Sequence, residues 1–256
     1  MESIERYNRH ILIIGEEKQK ILKTKKVVQV GVGGLGSPLL YYLVSIGVGH
    51  IVIIDNDKVS LSNLNRQILY SEPDIGKIKV NIAQEKMQAV NSEVKITPIY
   101  ESFTEDNAES ICKGADYLVD ASDNLKTKFL INDVGLKLNI PFTIAGVKGF
   151  EGQVISVEPG KSACYRCIFG SADVDYMENQ TLNRRIFGVL GPICGVIGSI
   201  EAIEVIKGLI SYGEKLVNKL FMIDLESMKS ILIKLSQNEN CICFKAKINE
   251  NPNIKT

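Results

Sequence analysis

The chain has 256 residues, with 30 basic and 30 acidic side chains and a formal net charge of +0. Its 45% hydrophobic and 23% charged residues are the balance of a globular protein, long enough for one large domain or two small ones. The even charge excludes a whole-chain electrostatic grip on nucleic acid or an anionic membrane. No apolar run reaches the 18 or so residues of a membrane span. The polar start MESIERYNRH does not read as a signal peptide, so a cytoplasmic address is expected.

Residues 3–14 and 16–23 have the periodicity of two amphipathic helices. KKVVQVGVGGLG reads as a short buried strand that breaks into a glycine turn, with an apolar helix from about Leu35 to Ile46. HIVIID is a second strand ending in Asp55, and VSLSNLNRQILY is a loop with a short helix. GKIKVNIAQEKMQAVN is expected to be helical and VKITPIY a strand. A helix near 105–112, the strand ADYLVDAS, a helix at 125–138 and the strand PFTIAG continue the alternation. Strand and helix taking turns in this way imply a parallel sheet covered on both faces.

After Gly149 the rhythm changes. GFEGQVISVEPG follows the preceding strand with no helix between them, which predicts an antiparallel arm. Residues 171–185 are polar and irregular and read as a mobile connection. GPICGVIGSIEAIEVIKGLI is a long helix in which Gly195, Gly198 and Ser199 permit close packing, and KLFMIDL with KSILIKL forms a closing hairpin. The tail after Cys243 is expected to fray. The fold class is therefore α/β: a Rossmann-like, mainly parallel sheet with helices on both faces and an antiparallel C-terminal portion. Residues 1–149 form the nucleotide-binding half of one domain and 150–256 its mixed half.

Gly31-Val32-Gly33-Gly34-Leu35-Gly36 follows a strand and opens a helix, the context that a dinucleotide fingerprint requires. Glycines let the backbone approach phosphate oxygens, and the helix N-terminus supplies free N–H groups. Asp55 stands at the tip of the second strand, where a carboxylate can accept from ribose hydroxyls. This much leaves NAD, FAD and ATP open. Asn63, Asn65, Arg66 and Gln67 then crowd polar and cationic groups beside the phosphate position, and Lys79 arrives on the next helix. Such cations stabilise charge on a leaving pyrophosphate, although Arg66 and Lys79 taken alone also read as solvated surface residues. Val119-Asp120-Ala121-Ser122-Asp123-Asn124 puts two carboxylates at a strand's C-terminal end, where a triphosphate would bring Mg²⁺. Asp120 is expected to cap the following helix.

RYNRH at 6–10, GVGGLG at 31–36, DNDKVSLSNLNRQ at 55–67, GKIKV at 76–80, VDASDN at 119–124 and CYRC at 164–167 occur in this order. Together they resemble the ThiF/HesA/MoeB family, bacterial relatives of ubiquitin-activating enzymes, over roughly residues 4–243. The resemblance implies an adenylyltransferase that uses MgATP to activate a C-terminal carboxylate, usually the Gly-Gly end of a ubiquitin-like sulfur carrier. It implies a nucleotide site of Gly31, Gly33, Gly34, Gly36, Asp55, Asp57, Ser62, Asn63, Leu64, Asn65, Arg66, Gln67, Lys79, Asp123 and Asn124. By similarity Asp55 takes the ribose, Arg66 and Lys79 the phosphates, and Asp123 the Mg²⁺. Arg9 would reach the phosphates from the other subunit of a homodimer. A carboxylate is already a nucleophile, so no general base is needed, and a chain with only His10 and His50 can perform this reaction.

The six cysteines include the pairs Cys164/Cys167 and Cys241/Cys243. Four thiolates converging on one point would make a structural zinc site, a Cys₄ metal clip; a redox role for Cys164 and Cys167 is the alternative. The family usually places two residues between the last two cysteines, where this chain has one. Some members carry a further cysteine that bonds covalently to the carrier. Here Arg184 falls at that position, while Cys194 reads as core. Four functions follow for testing: activation of a sulfur carrier for thiamine or molybdopterin synthesis, adenylation of a ribosomal peptide's C-terminus in an antibiotic pathway, nicotinamide-dependent oxidation, and a non-catalytic scaffold.

Overall fold

The computed structural model describes residues 2–170 and 188–244. The expected mobile connection at 171–185, Arg184 within it, and the tail from residue 245 lie outside the described residues. Two helices, α1 (Glu2–Ile14) and α2 (Glu16–Thr24), precede the sheet. There follow β1 (Lys26–Val30), α3 (Gly36–Ser45), β2 (His50–Ile54), α4 (Lys79–Val90), β3 (Lys95–Ile99), α5 (Glu105–Cys112), β4 (Tyr117–Asp120), α6 (Leu125–Lys137) and β5 (Phe142–Lys148). The second half holds β6 (Glu151–Val157), a short α7 (Tyr165–Phe169), α8 (Gly191–Ile210), β7 (Lys219–Asp224) and β8 (Lys229–Lys234). One-turn 3₁₀ segments at Leu61–Asn63 and Glu72–Asp74 interrupt the loop between β2 and α4.

The strands form one sheet in the order β3-β2-β1-β4-β5-β6-β7-β8. Pairing is parallel from β3 through β5 and antiparallel from β5 to β8, as the sequence rhythm predicts. Two-faced burial explains the near-continuous apolar strands. Val27, Ile51, Ile53, Val119 and Ala145 face α3, α4 and α8 on one side. Val28, Val30, Val52, Ile54, Leu118 and Ile144 face α5 and α6 on the other. Each buried Ile or Leu contributes about 1.5–3 kcal/mol by leaving water. At the far edge β8 is exposed along its whole length, with Ile231 and Leu232 about half accessible.

The long helix α8 lies across β5 and β6 and against α3. A Cβ on Gly198 would stand 2.5 Å from the Leu35 carbonyl oxygen, so this glycine permits the close contact expected of it. Gly195 meets nothing within 4 Å and has no such role. Helix α4 starts at Lys79, later than its sequence pattern suggests, because an antiparallel bridge between Lys58 and Ile78 holds the preceding segment extended: the Val59 amide donates to the Lys77 carbonyl (2.9 Å), and the Gly76 and Lys79 amides donate to the Val59 (2.8 Å) and Asp57 (3.1 Å) carbonyls. Among the described residues no helix is long and apolar enough to cross a membrane.

Candidate active site

Strand β1 runs between β2 and β4, and Val30 is in register with Ile54 on one side and Asp120 on the other. From β1 the chain builds outward to β2 and β3, then crosses back to β4 and β5. The crevice beyond the carboxyl ends of β1 and β4 is thus a topological switch point, where open α/β sheets bind ligands. Three segments leave the sheet there: the glycine turn, Asp55–Asp57 and Ala121–Asn124.

The glycine turn needs its glycines. Gly31 has φ +95°, and a Cβ on it would lie 2.6 Å from the Ala121 oxygen; one on Gly36 would lie 2.2 Å from the Gly31 oxygen. Buried Gln29 secures the turn by donating from Nε2 to the carbonyls of Gly31 (2.9 Å) and Gly36 (3.0 Å). At the start of α3 the Ser37 amide is taken by the Gly33 carbonyl at 3.0 Å and Pro38 has no N–H, so the donors left to face an anionic ligand are the amides of the glycine turn just before them.

Asp55 accepts from the amides of Val32 (2.9 Å) and Asp57 (2.8 Å), tying its strand end to the glycine turn. Burial raises its pKa, while the Val32 hydrogen bond and the charge of Lys79 oppose the rise. A carboxylate with two such bonds still has lone pairs for ribose hydroxyls. Lys79 is buried, not a solvated surface residue; its Nζ lies 2.8 Å from Asp57 Oδ2, and Asp57 is largely exposed. Tyr70 fixes the same region by donating its hydroxyl to the Val32 carbonyl at 2.8 Å.

Arg66 donates from Nη1 to the Ser62 carbonyl (2.9 Å) and to Asn65 Oδ1 (3.1 Å). A Cβ on Gly34 would lie 3.5 Å from Arg66 Cγ and 2.9 Å from Cys194 Sγ, so the arginine and the glycine turn share one wall with the start of α8. Gly34, Asn65 and Arg66 line an open pocket of about 250 Å³ with Pro38, Ile68, Gly191, Pro192 and Gly195. Gln67 is buried beside Gly33, and its Oε1 has no partner. Asn63 instead closes a local turn, accepting from the Ser60 amide at 3.1 Å. Ser62 is exposed, and Leu64 packs its side chain on the core. Cys194 is buried, in keeping with its expected core position.

Beyond β4, Asp123 and Asn124 are exposed. The expected cap is corrected here: Asn124, not Asp120, caps α6, its Oδ1 accepting from the Thr127 amide at 2.8 Å. Asp120 is fully buried and paired with Lys128 at 2.6 Å. It stops short of the helix because this carboxylate belongs to the last strand residue, beneath the loop.

Arg9 is the predicted residue that the fold places farthest from this crevice. It is exposed on α1, whose neighbouring residues bind at the other end of the sheet. Arg6 donates to the Val90 carbonyl (2.8 Å), and the Tyr7 hydroxyl accepts from Asn91 (2.9 Å), both just before β3. A five-residue strand spans about 17 Å, so α1 and the glycine turn stand at opposite ends of the sheet. Both histidines are structural: His10 contacts Gln19 Oε1 at 2.7 Å and His50 contacts Thr97 Oγ1 at 2.9 Å.

The four expected cysteines do converge. Their sulfurs all lie within 4.8 Å of one another, with Cys164–Cys241 at 3.5 Å and Cys167–Cys243 at 3.3 Å. Such separations are too long for disulfides. They approximate the ~3.8 Å edges of a tetrahedron with metal–sulfur bonds of about 2.3 Å, so the set could hold a metal ion despite the shortened spacing at Cys241/Cys243. The Cys164 pKa is lowered to about 6, chiefly by a hydrogen bond from Cys243. The short α7 between Cys164 and Phe169, invisible to periodicity, is anchored on α6. Asn132 Oδ1 accepts from the Tyr165 amide at 2.8 Å, and Asp133 takes Arg166 in two bonds of 2.7 and 2.6 Å.

Sequence reasoning also missed Lys128 and Glu201. Lys128 directly precedes the apolar run at 129–131, and Glu201 shares its apolar helix with one other buried carboxyl, Glu204; the signals lie in KFLIND and GSIEAIEV. Glu201 is fully buried and neither oxygen has a partner. Burial first and the Asp120 charge second raise its pKa well above the carboxylate range, against the pull of Lys128. A raised carboxyl gives stability that is complete below its unfolded pKa of about 4.3 and is lost as pH climbs toward the folded value. Glu201→Gln should therefore gain in melting temperature, relative to the parent chain, between pH 5 and pH 8, at about 2–4 °C per kcal/mol. Calorimetry at both pH values checks this; a pH-independent difference contradicts it.

The ThiF family model matches residues 7–243. The sulfur carrier protein adenylyltransferase of Thermus thermophilus is 35% identical over 94% of this chain and 90% of its own length. The adenylyltransferase and sulfurtransferase MOCS3-1 of Zea mays is 36% identical over 91% of this chain, which spans about half the length of that relative. The structure of E. coli MccB with ATP superposes with a TM-score of 0.82 at 28% identity, covering 93% of this chain and 73% of MccB. A microcin C7 biosynthetic enzyme MccB solved with N-formylated MccA gives 0.83 at 28% identity, covering 93% and 74%.

Proposed function

The chain belongs to the ThiF family, and on that premise we propose that it is an adenylyltransferase that activates the C-terminal carboxylate of a ubiquitin-like sulfur carrier, releasing pyrophosphate. One observation carries the reading: the glycine turn, Asp55, Lys79, Arg66 and the Asp123 loop meet at the switch point beyond β1 and β4. A dehydrogenase needs no arginine packed on the glycine turn.

The carrier's carboxylate oxygen attacks the α-phosphorus of ATP, the Pα–O bond to pyrophosphate breaks, and an acyl-adenylate is left. The glycine turn and the N-terminus of α3 receive the phosphates, and Asp55 receives the ribose. Arg66 and Lys79 neutralise charge gathering on the departing pyrophosphate. Lys79 reaches it by exchanging its bond to exposed Asp57. Exposed Asp123 would hold Mg²⁺, which would supply further neutralisation of the phosphates. Catalysis is positioning and electrostatics, with no histidine in it. The 1–149 half supplies this machinery and the remainder completes one adenylation unit, acting in the cytoplasm as a homodimer.

ATP–pyrophosphate exchange tests the reading. Exchange should require Mg²⁺ and a protein ending in Gly-Gly. Hydride transfer with NADH and no exchange would favour the oxidoreductase. Similarity to the MccB–MccA complex favours one second reading, adenylation of a short peptide; exchange with peptides but not with carriers selects it.

The four thiols fit a structural zinc ion held by Cys164, Cys167, Cys241 and Cys243. Metal analysis should find about one zinc per chain. Cys164→Ser and Cys243→Ser should lower the melting temperature while ATP binding persists. Protein prepared without chelators and free of metal would refute the clip.

A further inference from the structure

Lys128 is a buried ammonium with three donors and three short-range acceptors. It donates to Asp120 Oδ2 (2.6 Å), to the Ala145 carbonyl (2.6 Å) and to the Ser122 carbonyl (2.9 Å). These acceptors come from three places: the last residue of β4, the middle of β5, and the loop that carries Asp123. Asp120 completes the arrangement from the other side, its Oδ1 accepting from the Ser122 amide (3.1 Å) and hydroxyl (2.5 Å). Ser122 is therefore held at its amide, hydroxyl and carbonyl by one buried ion pair, and Asp123 is the next residue.

The surroundings preserve this assignment. Asp120 from β4 and Lys128 from α6 are the charged groups that act on Glu201 of α8; β5, β6 and α3 contribute none. With no donor of Lys128 to spare, an ionised Glu201 would compete with Asp120 for it. Complete burial without a partner keeps Glu201 neutral, and the single ammonium stays on the loop.

We propose that Lys128 is a positioning residue for nucleotide activation: through the Ser122 carbonyl and Asp120 it fixes the loop on which Asp123 meets the metal–ATP substrate. The inference rests on the adenylylation reading of Asp123. It requires no contact between Lys128 and ATP, since Lys128 lies beneath the loop and is only 7% exposed.

The test is titration calorimetry of ATP binding by the full chain at stepped Mg²⁺ concentrations. Lys128→Met should raise the Mg²⁺ concentration for half-saturation by about tenfold or more, the scale of an ångström-sized misplacement. Lys128→Arg, which keeps the charge, should recover most of the loss. Removing Lys128 alone strands a buried carboxylate and can prevent folding. The paired variant Asp120→Asn/Lys128→Met avoids that charge and should show the same Mg²⁺ shift, with faster amide hydrogen exchange confined to residues 121–125. A merely structural role would lower thermal stability and leave the Mg²⁺ midpoint unmoved well below the melting temperature. A folded paired variant with an unchanged midpoint overturns the proposal, as does equal loss in the Arg and Met variants. If the unaltered chain binds no ATP, the adenylylation reading itself fails and takes the inference with it.

Discussion

Exchange activity should return when Arg9→Ala chains and Asp123→Ala chains, each nearly inactive alone, are mixed and allowed to exchange subunits. The reason is geometric. Arg9 lies on α1, which is anchored through Arg6 and Tyr7 at the amino ends of β2 and β3. The glycine turn and Asp123 lie beyond the carboxyl ends of β1 and β4. An arginine at one end of the sheet cannot serve a phosphate at the other end of the same chain. It can serve a second chain whose crevice is turned toward it. An arginine supplied in this way to a departing phosphate group is worth about 10³–10⁵ in rate in related phosphoryl chemistry. In a mixed dimer one site carries both defects and the other carries neither, so half of the mixed sites recover. Absence of rescue, with subunit exchange verified by mass tagging, would rule out a shared site.

Asp123→Ala and Arg66→Ala should each lower ATP–pyrophosphate exchange by about 10²–10³, the usual cost of removing one aimed electrostatic group. The two losses should differ in character. Asp123→Ala should shift the Mg²⁺ requirement as well as the maximal rate. Arg66→Ala should leave the Mg²⁺ requirement and lower the rate, because Arg66 sits against Gly34 and not in the Asp123 loop. Loss of a few-fold only in either variant would remove that residue from the machinery. Both side chains are at least partly accessible, so stability should change little.

The elements written in local pattern were legible. The apolar run at 191–210, the β7–β8 hairpin and the parallel-to-antiparallel change after Gly149 all match, because periodicity and turn residues are short-range signals. The glycine turn and Asp55 were legible for the same reason, and the four cysteines through their two close pairs, the exception among distant contacts. Long-range pairing was not. Asp120 as a cap is a sensible local inference, yet Lys128, eight residues on, claims the carboxylate and leaves Asn124 to cap the helix. Glu201 reads as one more polar position in a helix until α8 is laid across β4 and β5. The burial of Lys79 depends likewise on where the loop from Asp57 to Tyr70 folds back.

With the proposed ion bound, the cysteine cluster would also set the order in which the described part of the molecule comes apart. Cys164 and Cys241 are 77 positions apart in the chain, and between them lie α8 and the β7–β8 hairpin. A cross-link enclosing a loop of that size withholds roughly 4 kcal/mol of disorder from the opened state. With the thiols joined through the proposed ion, the hairpin would be kept from peeling away from β6, because both ends of its segment would be tethered beside α6. Without that tether, the wholly exposed β8, paired only to β7, would be the first of the described strands to offer a protease open backbone.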